Sequence, residues 1–372
     1  MKSVAILGTR GYPSYYGGFE TAVRKLAPYL VEAGWDVTVY GRPDGVLRTD
    51  PERHYGVKSI MTRGIETKHL STLSYGFTSA MAAIRQKPDV VLVMNVANGF
   101  WLPLLKMRGI PTVVNVDGIE WERAKWGKNA RKLFRLGARF TATFSNHLIA
   151  DAREIRRIWE AKTHRKLEFI PYGGDVPRDV TTPTIVTPGG YALLVARFVP
   201  ENSIDSFLDA AKVIAQTHDV VLVGTSGYPD AIEDRVRQLV NTEHRVTWLG
   251  HVSDDDYLHG LWVNAGVYFH GHSVGGTNPA LVQAMACSTP IVARNTVYNL
   301  EVLDDAALYV EPNGASIAEA CLKVLNDQKL RINLGRLAFE RSRAIYSWES
   351  VCASYEQLLE TAVESGHRHL KF

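Results

Sequence analysis

The chain has 372 residues, of which 46% are hydrophobic and 22% are charged, a length and composition typical of a soluble globular protein with two domains. Its three cysteines have neither metal-ligand spacing nor a paired framework, so the sequence predicts no zinc site and no disulfide scaffold and favours a reducing cytoplasm. The opening MKSVAILG predicts a first strand rather than a signal peptide, and no run of about 18 apolar residues predicts a membrane span.

Charge is divided unevenly along the chain. Residues 1–180 hold 28 basic and 17 acidic residues, a net charge of +11, whereas residues 181–372 hold 14 and 22, a net charge of −8. The positive charge of residues 1–180 indicates that this part of the chain binds an anionic partner, which residues 181–372 do not contact. The alternative is that two solvated surfaces differ without consequence. No recognised reader motif accompanies the positive charge, so nucleic acid is not expected as a partner.

The first predicted elements are a strand, a glycine-bearing turn and a helix. A strand at residues 4–7 is followed by a helical pattern at 19–33 and a second strand at 37–40, which predicts a β-α-β unit of a parallel sheet. The turn lacks the G-x-G-x-x-G pattern, which argues against a nicotinamide cofactor. Gly17 and Gly18 would let a phosphate approach the backbone closely, or they simply form a tight turn.

Polar side chains follow several later strands of this half. Strands are predicted at residues 57–61, 90–94, 112–116 and 148–150, with a helix at 73–84. Functional side chains of open α/β sheets collect at the carboxyl ends of strands. Asp117 is therefore a candidate for orienting or deprotonating a substrate hydroxyl, unless it only caps the next turn. Glu120 is a candidate to share this role, and Asn95 is a further candidate of the same kind.

Residues 125–140, KWGKNARKLFRLGARF, predict an amphipathic helix with six cations and no acid. Its apolar face is predicted to carry residues 126, 130, 133, 134 and 137. A basic amphipathic helix is typical of an element that lies on an anionic membrane surface. The residues assigned to this contact are Trp126, Lys128, Arg131, Lys132 and Arg135. The alternative is that the apolar face packs into the core and the cations are solvated.

Residues 171–190 hold four prolines and four glycines and are predicted to link to a second α/β domain. Its strands are predicted at residues 192–196, 220–223, 246–249, 267–269 and 291–293. Arg197 follows the first of these strands, where its guanidinium can clamp a diphosphate unless it forms a surface ion pair. Gly224 is in the turn after the next strand and is expected to line the same site.

The stretch from residue 268 to residue 293, YFHGHSVGGTNPALVQAMACSTPIVA, predicts a strand, a glycine-bearing loop, a helix and another strand. Asn278 stands where an N-cap is favoured, and Pro279 where a first helical residue is favoured. Such a unit points backbone N–H groups and a positive helix end at the loop, which suits a nucleotide diphosphate. The alternative is an ordinary β-loop-α unit with no ligand.

No metal ligand is assigned. The acids of residues 253–256, SDDD, precede an apolar helical pattern and predict a helix N-cap with first-turn charges rather than a metal site. His270 and His272 have no third ligand nearby, so zinc is not expected there.

Five segments, in the same order along the chain, resemble family 4 glycosyltransferases, specifically the bacterial rhamnosyltransferase-like branch. They are GTRGYPSYYGGFET (8–21), VNVDGIEWERAKWGK (114–128), IPYGGD (170–175), ARFVPEN (196–202) and HGHSVGGTNP (270–279). The resemblance implies the GT-B fold, in which two Rossmann-like α/β domains face a central cleft and a C-terminal helix crosses back to the first domain. The expected boundaries are 1–172 for the acceptor-side domain, 173–345 for the nucleotide-sugar-binding domain and 346–372 for the returning helix.

Together, the residues and the resemblance assign three groups. The expected donor-binding residues are Gly17, Gly18, Arg197, Asn202, Gly224, Gly275, Gly276, Thr277, Asn278, Gln283 and Glu301. The expected acceptor-side residues are Arg10, Tyr15, Tyr16 and Asn95, and the expected catalytic residues are Asp117, Glu120 and His272.

The chain departs from the family pattern at several positions. Asp117 replaces a frequent histidine, and Ser203 stands where a lysine is usual. Gly275 and Gln283 replace two glutamates, the second of which binds the nucleotide ribose in the family. An amide binds a ribose hydroxyl less strongly than a carboxylate does. A deoxyribose has less need of that carboxylate, which favours a thymidine nucleotide, unless Gln283 is only a helix surface residue.

The resemblance therefore implies a retaining glycosyltransferase that needs no divalent metal or other cofactor. It would move a hexose or deoxyhexose, with L-rhamnose from dTDP-rhamnose as the first candidate, to a hydroxyl of a saccharide or lipid-linked acceptor in bacterial cell-surface polysaccharide synthesis. The alternatives are a UDP-hexose-dependent glycosyltransferase, an epimerase of the same fold and a non-catalytic sugar-nucleotide-binding protein. The expected location is cytoplasmic and peripheral on the inner face of the plasma membrane.

Overall fold

The computed structural model describes residues 1–15, 17–43, 53–66, 71–116, 118–119, 121, 127–178, 180–227 and 230–369. The chain divides into two compact units, residues 1–172 with 348–372 and residues 173–347. Each unit is built on one parallel sheet flanked by helices, which is the architecture that alternating strand and helix patterns predict.

The first unit contains a seven-stranded sheet in the order β3-β2-β1-β4-β5-β6-β7. The strands are β1 (Ser3–Leu7), β2 (Asp36–Gly41), β3 (Lys58–Met61), β4 (Val90–Met94), β5 (Thr112–Asn115), β6 (His147–Ala150) and β7 (Glu168–Phe169). The helices before residue 172 are α1 (Gly18–Glu32), α2 (Ser71–Gln86), α3 (Leu102–Met107), α4 (Lys128–Phe144) and α5 (Arg153–Thr163), with a 3-10 helix at Val96–Trp101. The strand order reverses between β1 and β4, so loops after these two strands meet at one edge.

Hydrophobic patterning explains these elements. The five residues of β4 are all buried, as is typical of a central parallel strand with both faces covered. Helix α1 buries Ala22, Val23, Leu26, Ala27 and Leu30 along one stripe, which is the helical period that its sequence predicts.

The second unit contains a six-stranded parallel sheet in the order β10-β9-β8-β11-β12-β13. Its strands are β8 (Tyr191–Val195), β9 (Asp219–Val223), β10 (Val246–Trp248), β11 (Val267–His270), β12 (Ile291–Arg294) and β13 (Ala307–Val310). Its helices are α6 (Ile204–Ile214), α7 (Ala231–Thr242), α8 (Asp255–Asn264), α9 (Pro279–Ala286), α10 (Val297–Leu303), α11 (Gly314–Asn326) and α12 (Gln328–Ile345). The sequence patterns do not predict β13, a short edge strand that pairs with β12.

The C-terminal helix α13 (Trp348–His369) belongs to the first unit. Asn115 donates through Nδ2 to the buried Tyr355 hydroxyl at 2.7 Å. The Glu356 carboxylate accepts from the Tyr29 hydroxyl at 3.1 Å and from Trp35 Nε1 at 3.2 Å. The chain therefore returns to the first unit after residue 347, as the GT-B resemblance implies.

Candidate functional site

The candidate donor site lies at the carboxyl edge of the sheet in the second unit. The strand order of this sheet reverses between β8 and β11, which are neighbours. Arg197 follows β8 by two residues, and the HGHSVGGTNP loop begins with the last residue of β11. Open parallel sheets bind ligands outside their carboxyl ends at such reversals, so the topology brings together two segments that are far apart in sequence.

Arg197 is presented by a turn whose backbone is fixed by a buried side chain. Asn202, which is 5% exposed, donates through Nδ2 to the Arg197 carbonyl at 2.8 Å. The Arg197 side chain is exposed, and no carboxylate pairs with it within the described residues. The structure thus gives Asn202 a positioning contact to the backbone of Arg197 and leaves the guanidinium available to an anion.

Two imidazoles stack where the loop leaves β11. The rings of His270 and His272 are 4.4 Å apart between centroids and nearly parallel, at 9°. His270 Nδ1 is 3.0 Å from the Tyr268 hydroxyl. Burial, with a smaller contribution from the Arg197 charge, lowers the pKa of His272 to about 3, and burial also lowers the pKa of His270. His272 is therefore neutral near pH 7 and offers nitrogen lone pairs or an N–H rather than a positive charge.

The start of α9 has the predicted geometry. Asn278 is the N-cap, and its Oδ1 accepts from the backbone N–H of Ala280 at 2.9 Å, with Pro279 at the first helical position. Gly275 has a φ of +107°, which favours glycine, and Thr277 is buried. The Oδ1 of Asn278 is occupied in capping, so a donor contact from this residue would come from its Nδ2 or its backbone.

Gln283 has a different partner from the expected ribose. Its Oε1 accepts from the Asp175 N–H at 2.9 Å, and its Nε2 donates to the Asp175 carbonyl at 2.8 Å. The side chain thus holds the PYGGD segment against α9. Gln283 is therefore not a free helix surface residue. Its amide oxygen and nitrogen are both hydrogen-bonded to the Asp175 backbone, so the amide is only partly available to a nucleotide.

The remaining predicted donor residues lie on neighbouring elements. Gly224, after β9, has a φ of +130°, and a Cβ there would lie 1.8 Å from the Ala196 carbonyl oxygen. Glycine is therefore required at this position for packing against the end of β8. Glu301 is partly buried on α10, and its carbonyl accepts from Arg341 Nη2 at 2.8 Å. Gly276 is partly exposed in the loop before α9.

Three residues at this edge were not assigned from the sequence. Arg294, the last residue of β12, donates through Nη1 to the Ser203 hydroxyl at 3.0 Å. Asn299 is buried and donates from its amide to the carbonyls of His272 and Arg294. Glu201 Oε1 is buried without a hydrogen-bond partner within the described residues. No local pattern marks Arg294 or Asn299, because Ser203 and His272, to which they bond, lie far from them in the sequence.

In the first unit, two predicted acceptor-side residues lie in the loops that follow β1 and β4, where the strand order reverses. Arg10 lies in the loop after β1, where its backbone N–H donates to the buried Glu20 at 3.0 Å. Asn95 directly follows β4 with a φ of +79°, and its Oδ1 accepts from the Ala97 N–H at 2.9 Å. Such a backbone conformation in a residue other than glycine is uncommon and concentrates at functional sites.

Other predicted residues of the first unit are placed as follows. Gly17 is the N-cap of α1 in an extended conformation, and α1 begins at Gly18. The Tyr15 ring stacks under the Arg24 guanidinium, 3.8 Å from the ring centroid. Tyr16, Asp117, Glu120 and Trp126 lie outside the described residues, so their roles stay predictions.

Helix α4 begins at Lys128 and extends to Phe144, further than the predicted 125–140. It packs through Gly137, Ala138 and Thr141, and Thr141 Oγ1 donates to the Val96 carbonyl at 3.3 Å. Leu133, a residue of the predicted apolar face, is 41% exposed, so it does not pack into the core as the alternative expected. The buried side of α4 is made of small residues.

The exposed side of α4 carries a cationic stripe, which we define as Lys128, Lys132, Arg135 and Arg139. These residues are spaced by four, three and four positions, and all are exposed, so they project from one face of the helix. Leu136, which is 45% exposed, and Leu133 lie on one side of the stripe, with Leu136 nearer to it. Arg131 lies on another side of the helix and is partly buried.

The acids at residues 253–256 serve as the predicted cap, because Asp254 Oδ1 accepts from the Tyr257 N–H at 3.0 Å. Across the described ranges, no group of three or more His, Cys, Asp or Glu side chains is arranged to hold a metal ion. The same part of the chain contains no helix long and apolar enough to cross a membrane.

Comparisons with known proteins agree with this architecture. The family model described as "Glycosyl transferase 4-like domain" matches residues 17–173, and the model described as "Glycosyl transferases group 1" matches residues 182–341. The chain is 28% identical over 169 residues to O-antigen chain mannosyltransferase B of Escherichia coli. That match covers 43% of this chain and 43% of the relative, so it spans less than half of either protein.

Solved structures match over nearly the whole chain. Sucrose-phosphate synthase from Thermosynechococcus elongatus superposes with a TM-score of 0.80 at 18% identity, covering 98% of this chain and 100% of that one. Anabaena HepE in complex with UDP superposes with a TM-score of 0.73 at 16% identity, covering 97% and 100%. At such identities the likeness shows the fold, which is two Rossmann-like parallel-sheet domains.

Proposed function

The chain belongs to the GT-B glycosyltransferases, with a glycosyl transferase 4-like domain followed by a group 1 domain, and from this premise we propose that it transfers a sugar from a nucleoside diphosphate sugar to a hydroxyl acceptor. The observation that carries the proposal is the pairing of Arg197 with the HGHSVGGTNP loop at the strand reversal between β8 and β11. We further propose that the acceptor is a saccharide or a lipid-linked saccharide of bacterial cell-surface polysaccharide synthesis.

In the proposed reaction, the bond between the anomeric carbon and the diphosphate oxygen breaks as the acceptor oxygen attacks. The acceptor proton moves to the departing diphosphate, so the sugar retains its configuration by front-face displacement. Arg197 and the backbone amides of the loop stabilise the charge that develops on the diphosphate. In this proposal they act in place of a divalent metal, so we expect activity to survive excess chelator. Loss of activity on chelation with rescue by magnesium would contradict this part.

Two donor classes are proposed. dTDP-L-rhamnose is the first, because Gln283 offers no carboxylate to a ribose and its amide is bonded to the Asp175 backbone. A manno-configured or other hexose on GDP or UDP is the second. It is favoured by the name of the E. coli relative, a mannosyltransferase, and by the UDP bound to HepE.

The deciding experiment is a thermal-shift panel with dTDP-rhamnose, GDP-mannose and UDP-glucose, each against its free diphosphate. A ligand at 100 times its Kd stabilises the native state by about 2.7 kcal/mol, which raises the melting temperature measurably. The donor that shifts the melting point most should then release nucleoside diphosphate only when acceptor is present. Binding without any release would make the chain a sugar-nucleotide-binding protein, and release without acceptor would favour an epimerase or hydrolase.

The proposed location is the cytoplasmic side of the membrane, reached from solution through the cationic stripe of α4. Each cation near an anionic surface contributes about 1 kcal/mol at best. Four together, with Leu133 and Leu136 beside them, would hold the enzyme reversibly beside a lipid-linked acceptor.

A further inference from the structure

Arg294 reaches from the end of β12 toward the turn that carries Arg197. Its Nη1 donates to Ser203 Oγ at 3.0 Å, and Ser203 Oγ in turn donates to the Gly271 carbonyl at 2.7 Å. The guanidinium therefore lies between the start of α6 and the first residues of the loop after β11.

A second contact fixes the backbone at the same place. The amide of Asn299, which is 3% exposed, donates to the Arg294 carbonyl at 2.9 Å and to the His272 carbonyl at 3.1 Å. The end of β12 and the loop are thus tied to one buried side chain. Because β8, β11 and β12 are adjacent parallel strands, Arg294 and Arg197 lie at the same sheet edge.

Among the residues that the structure describes, no acid forms an ion pair with Arg294. The side chain is partly buried, and across the described ranges its one polar partner is the neutral Ser203 hydroxyl. Taking a guanidinium out of water without a counter-charge is costly, and its planar fork suits phosphate oxygens. A nucleoside diphosphate carries at least two negative charges, of which Arg197 balances one.

We propose that Arg294 is a second phosphate-binding residue of the donor site, and that it supplies the cation that Ser203 cannot supply. The inference rests on the proposed function and deepens it, because it assigns a residue that no sequence motif marks. The ligand class is the diphosphate of a nucleotide sugar, with Arg197 and Arg294 on its oxygens.

A purely structural role for Arg294 gives a different expectation. If its guanidinium only tethers the turn, then Ser203→Ala should have the same effect as removing Arg294, since both break the bond between these side chains. If the guanidinium binds phosphate, Ser203→Ala leaves the charge in place and should change nucleotide affinity by less than threefold.

The test is isothermal titration of dTDP, UDP and GDP, each compared with its nucleoside monophosphate. Two variants, Arg294→Gln and Arg294→Met, remove the charge, and Met keeps the apolar stem. Ser203→Ala breaks the bond to Arg294, and Arg336→Gln is an exposed control on α12. We expect both Arg294 variants to weaken diphosphate binding at least tenfold, to reduce the preference for diphosphate over monophosphate, and to keep the melting temperature of the parent. Arg336→Gln should bind like the parent.

Diphosphate affinity in a folded Arg294→Gln or Arg294→Met variant equal to the parent's would overturn the inference and leave the proposed function intact. An equal loss in Ser203→Ala would also overturn it, in favour of a tether. A parent chain that binds none of the three diphosphates would remove the proposed function, and this inference with it.

Discussion

The side-chain amide of Gln283 pairs with the backbone of Asp175 in both directions, accepting from its N–H at 2.9 Å and donating to its carbonyl at 2.8 Å. A carboxylate of the same size can accept the first bond but cannot donate the second. The pair therefore explains why an amide, rather than an acid, is compatible with this position of α9.

Gln283→Glu should destabilise the second unit. The Asp175 carbonyl loses its donor and faces a negative oxygen, a change that costs about 1–3 kcal/mol. Urea unfolding at pH 7 would measure this loss, with Gln238→Glu on the exposed side of α7 as a matched control. Equal stability of Gln283→Glu and the parent would show that the pair contributes little.

Arg197→Ala should weaken the binding of nucleoside diphosphates without unfolding the protein. The guanidinium is exposed, so its removal leaves the core intact, whereas a charged hydrogen bond to phosphate contributes about 1.5–3 kcal/mol. That range corresponds to a roughly 10- to 150-fold rise in Kd. Titration calorimetry tests the rise in Kd, and the melting temperature tests whether the variant stays folded. An unchanged Kd in a folded variant would remove Arg197 from the site.

His272 should make the fold less stable as the pH falls below about 6.5. Burial lowers its pKa to about 3 in the folded chain, against about 6.5 for an unperturbed imidazole, so the unfolded state binds a proton that the folded state rejects. The contribution of His272 to the free energy of unfolding is complete above pH 6.5 and is lost progressively between pH 6.5 and pH 3. At pH 5 the loss is at most about 2 kcal/mol.

The check is the free energy of unfolding at pH 7 and pH 5. His272→Gln should reduce the difference between the two values relative to the parent, and the exposed control His251→Gln should not. If the parent and His272→Gln lose the same stability on acidification, the imidazole is protonated in the folded state.

The cationic stripe of α4 should bind anionic vesicles. Replacing Lys128, Lys132, Arg135 and Arg139 with Gln should lower the fraction that sediments with phosphatidylglycerol vesicles at least tenfold, because about 1 kcal/mol per cation is lost. Binding by the parent should also fall with salt, which screens exposed charges.

A matched control removes four exposed cations from the second unit: Lys212, Lys323, Lys329 and Arg336. It lowers the net charge equally, so it separates the stripe from overall charge. If both quadruple variants sediment like the parent, α4 is not the docking surface and the acceptor need not be lipid-linked.

The sequence by itself determined the local elements. Apolar runs located the central strands, and the Asn278–Pro279 pair located the start of α9, because capping and strand patterns act over a few residues. The ordered motifs predicted the GT-B fold. The edge strand β13 was not predicted, because an apolar run of four residues does not by itself distinguish a strand from a buried helical segment, and pairing with β12 decides between them.

Only the tertiary structure decided which side chains meet. Gln283 and Asp175 are 108 positions apart, and Arg294 and Ser203 are 91 apart. These pairs exist because strand order in a parallel sheet joins distant segments at one edge, which no local pattern encodes. The exposed face of α4 was likewise set by packing, since Gly137 and Thr141 fit closely against the 3-10 helix at Val96–Trp101 and leave Leu133 outside.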